Sequence, residues 1–569
     1  MATTMDASHR RRRAASCLLG AWCGVVLSAD SAGAQSVSFL TYTPSVIPAG
    51  TTAPLLIEVE VNGTPSSVSV DFNPAGTVTS SVPLRDDGSN GDRIAGDRTY
   101  TAQLPVAQIL AARTSDDVHR VFIGFLNLFN GETRVFRGNL FVDVYTNELG
   151  VYPIVRLSQF VQATSRLVNI HDPTYFLTSG ATRVTQEFYR WFRDDYDVLN
   201  IVADPMRFQN RSHAVVKNRV QGIGLPQSDS AAAYGSAGRL VGISFFPIQN
   251  LYDGAETGFI HELGHQWINY LSFQPFMPGV PHWPYSSMAT GVMGISIGGA
   301  GGQGGSFACT IVEDSRGIVF NPRPAAPAYN DFDLYLMGLM PAAEVRGQFV
   351  FPDQSSATPP TCAGQVFTGP VLRVGVNDIL NAAGPRIPPY GEAPSRFRLA
   401  TILVTRSGLA SAEMMSLYSW MTERAEWRAR VPTHSGFTKQ SGQPFYLATG
   451  GRGTLEMDLD LGGPDFGLVP TTADATVTAG ASASYSLALS SRRRSFDAAV
   501  TLSCGSLPAN ATCAFEPASV VPGATGQNTT LTISTRASAG TAARGTYTVI
   551  VAGTSGAVQH STAVTLVVQ

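Results

Sequence analysis

Thr257-Gly258-Phe259-Ile260-His261-Glu262-Leu263-Gly264-His265-Gln266-Trp267-Ile268-Asn269-Tyr270-Leu271 reads as a helix with two histidines four residues apart. Positions i and i+4 share a helical face, so both imidazoles can reach one metal ion. Glu262 stands on the adjoining flank, placed to take a proton from a water that the metal has made acidic. The plainer reading of the same residues is an ordinary helix with a solvated Glu262. Just upstream, Leu240-Val241-Gly242-Ile243-Ser244-Phe245-Phe246 reads as a strand, so a strand precedes the histidine helix.

A metal site that hydrolyses needs a third protein ligand. No acidic residue occurs between Gln266 and Val312, which leaves His282 in Pro281-His282-Trp283-Pro284 as the foremost candidate. A loop histidine arriving from downstream completes a three-histidine site; a histidine set between prolines beside Trp283 can equally be structural. The alternative is an acidic ligand from Tyr329-Asn330-Asp331-Phe332-Asp333-Leu334-Tyr335-Leu336-Met337-Gly338-Leu339. Asp333 leads there, because Asp331 can cap the segment, and Tyr335 could donate to a developing oxyanion. The whole run can also be a packed helix with both aspartates solvated or capping. The glycine-rich stretch from Gly291 to Gly305 reads as a lid or as a surface loop, and Met293 within it as a floor beneath the metal or a core residue.

The His-Glu-x-x-His motif and its strand-then-helix order resemble the zincin metallopeptidases, in which an edge strand lines the cleft and pairs with an extended peptide. The likeness in layout covers residues 150 to 345, and its specific motif is five residues long. Ile268 and Leu271 stand where metzincins carry glycine and a third histidine, and the downstream glutamate of thermolysin-like enzymes is missing, so no subfamily is assigned. The Asp-x-Asp-x-x-x-Met-Gly run is similar to that of secreted bacterial zincin-like proteins with a Leu-Tyr-Leu-Met-Gly-Leu signature. The resemblance implies a central α+β zincin-like catalytic domain over 150–460. It also implies Zn2+ on His261, His265 and His282, Glu262 as catalytic base, and a protein or peptide substrate.

Around the motif, Thr185 to Asp194 has the apolar spacing of an amphipathic helix, with Phe188, Trp191 and Phe192 on one face. Tyr196 to Ala203, His213 to Val216 and Ala400 to Thr405 read as strands, and Ser411 to Arg428 as a helix. Farther out, residues 36–147 and 466–569 read as all-β. Ser67-Val68-Ser69-Val70-Asp71-Phe72 alternates with period two, and Gly545-Thr546-Tyr547-Thr548-Val549-Ile550-Val551 is one of several short strands between turn residues. Both regions resemble the immunoglobulin-like modules of bacterial secreted proteins, which implies two flanking sandwiches with spacer, cell-surface or glycan contacts. The Asp/Asn/Gly loop from Leu84 to Tyr100 could coordinate Ca2+, but Asp and Gly are also ordinary turn residues, and the turn is favoured.

The 569-residue chain has the length of two to four domains. With 39 basic and 42 acidic residues it carries no field to hold a nucleic-acid backbone. Arg10 to Arg13, the short apolar stretch Ala14 to Ala29 and Ala32-Gly33-Ala34 before Gln35 have the pattern of a secretory signal peptide over residues 1–34. No later segment is long and apolar enough to span a bilayer, so a secreted, periplasmic or cell-surface protein is expected. Cys309, Cys362, Cys504 and Cys513 remain after cleavage, and pairing within regions gives Cys309–Cys362 and Cys504–Cys513. The leading expectation is thus an exported zinc endopeptidase. The rival is a secreted adhesion or glycan-binding protein with a catalytically inactive core.

Overall fold

The computed structural model describes residues 35–569 apart from 75–79, 114–118, 146–151, 179, 251–257, 277–281, 297–303, 306–308, 323–327, 353–361, 429–442, 462–464, 493–495, 506, 524, 538–539 and 557. The expected signal peptide, residues 1–34, and most of the glycine-rich run lie outside the described residues.

Strand exceeds helix by 43% to 16%, and the chain is mostly β. This overturns the expected multidomain arrangement built on a central α+β zincin-like domain. The reason lies in how briefly helices persist. The histidine helix, expected to continue to Leu271, ends at Gly264, and Asn269 takes a left-handed backbone (φ 74°) that turns the chain away. Downstream, Cys309–Asp314 pairs with Gly317–Pro322, and Gln348–Val350 with Leu372–Val374, so the chain runs into small antiparallel sheets.

The site is carried by an 8-stranded sheet. Its order is Ser212–Val215, Gly242–Pro247, Val198–Asp204, Arg396–Thr405, Leu167–His171, Val161–Ala163 and Val155–Arg156, with Thr454–Glu456 also against Arg396–Thr405. Val198–Asp204 pairs in parallel with both neighbours, and the edge strand Ser212–Val215 runs antiparallel to Gly242–Pro247. A parallel strand covered on both faces needs apolar residues on both. Leu199, Ile201, Ala400 and Ile402 pack with Phe188 and Tyr189 of the helix Ala181–Tyr189. Val198, Val202, Leu399 and Leu403 face the other way, into the cluster that holds Phe259, Ile260 and Leu263 of the histidine helix. The strands read near 196–203, 213–216, 240–246 and 400–405 are all present, with edges shifted by a few residues.

Before this sheet, the chain forms a five-stranded and a three-stranded sheet, between Ser36 and Tyr145. Leu55, Ile57, Val59 and Val61 alternate inward along Leu55–Asn62, as a strand covered on one face requires. After it, Asp465 to Val568 forms a four-stranded and a five-stranded sheet around a separate apolar cluster that includes Phe466, Leu487 and Val549. Disulfides join Cys309 to Cys362 and Cys504 to Cys513. Among the described residues no helix is long and apolar enough to cross a membrane. The disulfides fit an extracellular or surface protein.

The acidic loop forms a tight turn whose carboxylates cluster. Asp86, Asp92 and Asp97 bring carboxylates within 4.8 Å of one another. Those of Asp86 and Asp92 accept backbone N–H groups, with Asp86 Oδ1 taking Gly96 at 2.7 Å and Asp97 at 3.1 Å, and Asp92 Oδ2 taking Gly88 at 2.6 Å.

Candidate functional site

The histidine helix Phe259–Gly264 is only six residues long, with His265 as its C-cap. That length suffices to set His261 and His265 one turn apart on one face. Phe259 and Leu263 fasten it to the sheet, Phe259 through an edge-to-face contact with Phe246. Two phenols hold its backbone: Tyr329 donates to Ile260 O, and Tyr270 to the C-cap carbonyl His265 O.

Three imidazoles converge in front of this helix. His261 Nε2 lies 3.1 Å from His282 Nε2 and 3.2 Å from His265 Nε2. His261 Nδ1 lies 2.8 Å from Val292 O, to which it must donate, so its Nε2 presents a lone pair to the other two rings. Burial, aided by the neighbouring positive charge of Arg211, holds the His261 and His265 rings well below the usual imidazole range and His282 at about 4. Three neutral imidazoles facing one another form a nitrogen donor set. Tetrahedral ligands 2.0–2.1 Å from one ion stand about 3.3 Å apart, and the spacings here match that within a few tenths of an ångström. The three histidines named from the sequence therefore form a candidate metal site.

Glu262 is buried beside them, with Oε1 4.0 Å from His261 Nε2. Arg211 Nε donates to the same oxygen at 3.1 Å. Two residues farther along, His213 Nε2 donates to Gln266 Oε1 at 3.0 Å; Gln266 Nε2 in turn donates to Lys217 O, which fixes the amide's orientation. Ser244 then donates to His213 Nδ1. Burial pushes His213 down to about 4, so it stays neutral in this chain of bonds. Gly242 is required beneath the ring, since a Cβ there would lie 2.4 Å from His213 Cε1. Arg211 and His213, one strand period apart, thus meet Glu262 and Gln266, one helical turn apart. Sequence reading missed both. Arg211 carries no motif, and His213 looks like any strand residue until the pairing with Gly242–Pro247 brings it over the helix.

Asp333 and Asp331 do not join the imidazole cluster. Asp333 and Asn330 close a reciprocal capping box at the start of the helix Asp331–Met337. Asp333 Oδ1 also accepts the Trp283 indole N–H at 2.7 Å, and Oδ2 the Asn330 N–H at 3.0 Å. Burial raises the Asp333 carboxyl to about 7. Asp331 is held by Arg346 in a two-pronged pair at 2.7 and 2.8 Å. The Tyr335 hydroxyl accepts the Arg386 backbone N–H at 3.2 Å. Met293 is fully buried under the histidine helix; a Cβ on Gly264 would lie 2.3 Å from its Sδ, which explains the glycine inside the motif.

No family profile matches the chain, and no curated protein does. Among solved structures, domains 4 and 5 of the S-layer protein SbsC align at 17% identity and a TM-score of 0.14, covering 20% of this chain and 55% of that one. A family 123 glycoside hydrolase from Clostridium perfringens aligns at 9% identity and 0.14, covering 18% of this chain and 27% of that one. Domains 1–6 of SbsC align at 10% identity and 0.14, covering 95% of this chain and 55% of that one. The chain thus spans about half the length of the SbsC structures, and at these scores none of the three bears on the fold or the site.

Proposed function

We propose that this chain is an exported, zinc-dependent endopeptidase. The observation that carries the reading is the convergence of three neutral imidazoles, at 3.1 and 3.2 Å, beside one buried carboxylate. A nitrogen donor set of this size suits zinc among divalent ions. Bound there, zinc supplies Lewis acidity toward a water and a carbonyl oxygen.

The chain's own residues do the rest. His261, His265 and His282 hold the ion, and Val292 O fixes the tautomer of His261. Glu262 takes a proton from the attacking water as its oxygen bonds to the carbonyl carbon. It returns the proton to the leaving nitrogen as the C–N bond breaks. Burial of the histidine helix and the bond from Arg211 Nε keep the carboxylate in place.

The test is a matched pair of proteins, wild type and Glu262→Gln, assayed for zinc by mass spectrometry and for cleavage of an unstructured protein. Wild type should hold about one zinc per chain and lose activity to a chelator. The variant should keep its zinc and lose turnover by ~100-fold or more. Undiminished turnover in the variant would remove Glu262 from the reaction. Zinc without any cleavage by wild type would favour a binding protein in which the ion is structural.

A further inference from the structure

A cleft of about 370 Å3, in the size range of ligand pockets, takes one of its walls from the chain that leaves the histidine helix. Three segments line it: Val220 and Leu225 from one loop, Ser272 and Phe273 from the chain after the helix, and Ala382 and Ala383 from the end of the helix Val376–Ala383. Val220, Leu225, Phe273 and Ala383 are half-buried and pack on the same apolar cluster as Phe259 and Leu263. Among the described residues that line the cleft, none is charged. The loop is built to hold its shape. The buried Asn218 side chain sets Nδ2 3.1, 3.0 and 3.1 Å from the carbonyls of Val220, Leu225 and Pro226, and its Oδ1 accepts the Val220 N–H at 2.9 Å. Gly222 and Gly224 have left-handed backbones, and a Cβ on either would lie 2.4 Å from a backbone oxygen, that of Pro385 or of Tyr270. Ile223 between them is fully buried.

Two short runs of contacts lead from the cleft to the imidazoles. Gln266, the residue after His265, donates to Lys217 O at the root of the loop, at 3.0 Å. Tyr270, whose carbonyl lies against Gly224, donates to His265 O. On the other side the Phe273 ring meets Phe276 at 5.4 Å, and Phe276 meets Trp283, next to His282, at 6.1 Å. The chain that joins His265 to His282 therefore also walls the cleft, and a side chain seated there fixes a peptide relative to the candidate metal site. A charged side chain entering such a cleft gives up water without gaining a partner, whereas an apolar one gains by the area it buries. Resting on the peptidase reading, we propose that this cleft takes an apolar side chain of the substrate, and so selects peptides with Leu, Met or Phe at one position near the cleaved bond. An extended peptide advances about 3.3 Å per residue, so the position concerned is within about four residues of that bond.

The experiment uses the zinc-loaded full chain and peptides varied one position at a time through Ala, Leu, Phe, Lys and Glu on both sides of the cleaved bond. At one position Leu or Phe should exceed Ala by about 10- to 100-fold in kcat/KM, carried mainly by KM, and Lys and Glu should not. Ala382 and Ser272 are exposed, so substitutions there leave the core untouched. Ala382→Trp fills the cleft and should bring the Leu and Phe peptides down to the rate of Ala, with zinc content unchanged. Ser272→Asp puts a carboxylate at the wall and should raise Lys above Ala at that same position and no other. A preference that either variant moves in this way supports the proposal. The absence of an apolar preference at every position would overturn it, and so would a preference that both variants leave in place, since the peptide then rests elsewhere. In either case the peptidase reading stands. Failure of wild type to cleave any peptide would remove that reading itself, and this inference with it.

Discussion

Asp333 shows how one carboxylate can support a candidate metal site from outside its imidazole cluster. Its Oδ1 holds the Trp283 indole, the next residue to His282, and both Asp333 and Trp283 are all but inaccessible to solvent. In Asp333→Asn the new amide can accept from Trp283 or from the Asn330 N–H, but its NH2 group then confronts the other donor. Zinc affinity should fall, by less than the ~10- to 100-fold that follows loss of a direct hydrogen-bond partner of a ligand, because Asp333 acts on His282 only through Trp283. Trp283→Phe, which keeps the ring and removes the donor, should fall similarly. Competition with a chelator measures both, and unchanged affinity in both variants would show that the indole does not place His282. The three histidines of the candidate site were legible, because residue type and spacing are written into His261-Glu262-Leu263-Gly264-His265, and His282 stands alone in a long stretch without acids. The supporting roles were not. Asp333 looked like a ligand because a carboxylate near a metal motif carries no mark of what it will face. Arg211 was silent because only strand pairing brings it to Glu262.

At the scale of elements, the histidine helix and the edge strand act as one part. Gln266 is buried and joins them, accepting from His213 and donating to Lys217 O, each at 3.0 Å. Gln266→Leu would leave the His213 Nε2–H against a hydrocarbon. A buried donor without a partner costs about 1–3 kcal/mol. The denaturant midpoint should drop accordingly, with one zinc per chain still bound, because neither Gln266 nor His213 is a ligand. Loss of zinc in that variant would mean that the strand also shapes the donor set. The strands were readable because Val198–Ala203 is apolar but for Asn200 and Leu399–Val404 but for Thr401, near-continuous apolar runs that mark strands buried on both faces. The balance of helix and strand was not. A motif with helical spacing invited a long helix, yet the apolar pattern cannot foretell that Asn269 will turn left-handed. The short antiparallel pairs around Cys309–Asp314 lie in a glycine- and proline-rich region whose sequence shows no period of either kind.

Across the whole molecule, the first β region and the site share one apolar cluster, which runs from Leu40 and Val59 through Phe259 and Leu263 to Met457. Backbone bonds between Leu40 and Met206, at 2.9 and 3.0 Å, tie that region to the end of the strand Val198–Asp204. A buried polar group closes the same junction. Arg120 and Asp143 pair at 2.6 Å, the Tyr418 hydroxyl donates to Asp143 at 3.0 Å, and Ser45 donates to Asp204 at 3.4 Å. Burial, with the Asp143 charge adding to it, raises the Asp204 carboxyl to about 6. The sign of the effect follows. The unfolded group titrates near 3.9, so between pH ~4 and ~6 the folded chain holds a proton that the unfolded chain releases. The contribution of Asp204 to stability is therefore whole below pH ~4 and is lost as pH rises through about 6. Asp204→Asn keeps the shape and an acceptor for Ser45 but cannot ionise. Its unfolding free energy should match or exceed that of wild type above pH 6, and the difference between the two proteins should shrink or reverse toward pH 4. Because the other carboxyls are common to both proteins, the difference isolates this site. A constant difference across pH 4–7 would mean that Asp204 ionises as freely in the fold as out of it, and that the junction is open to water.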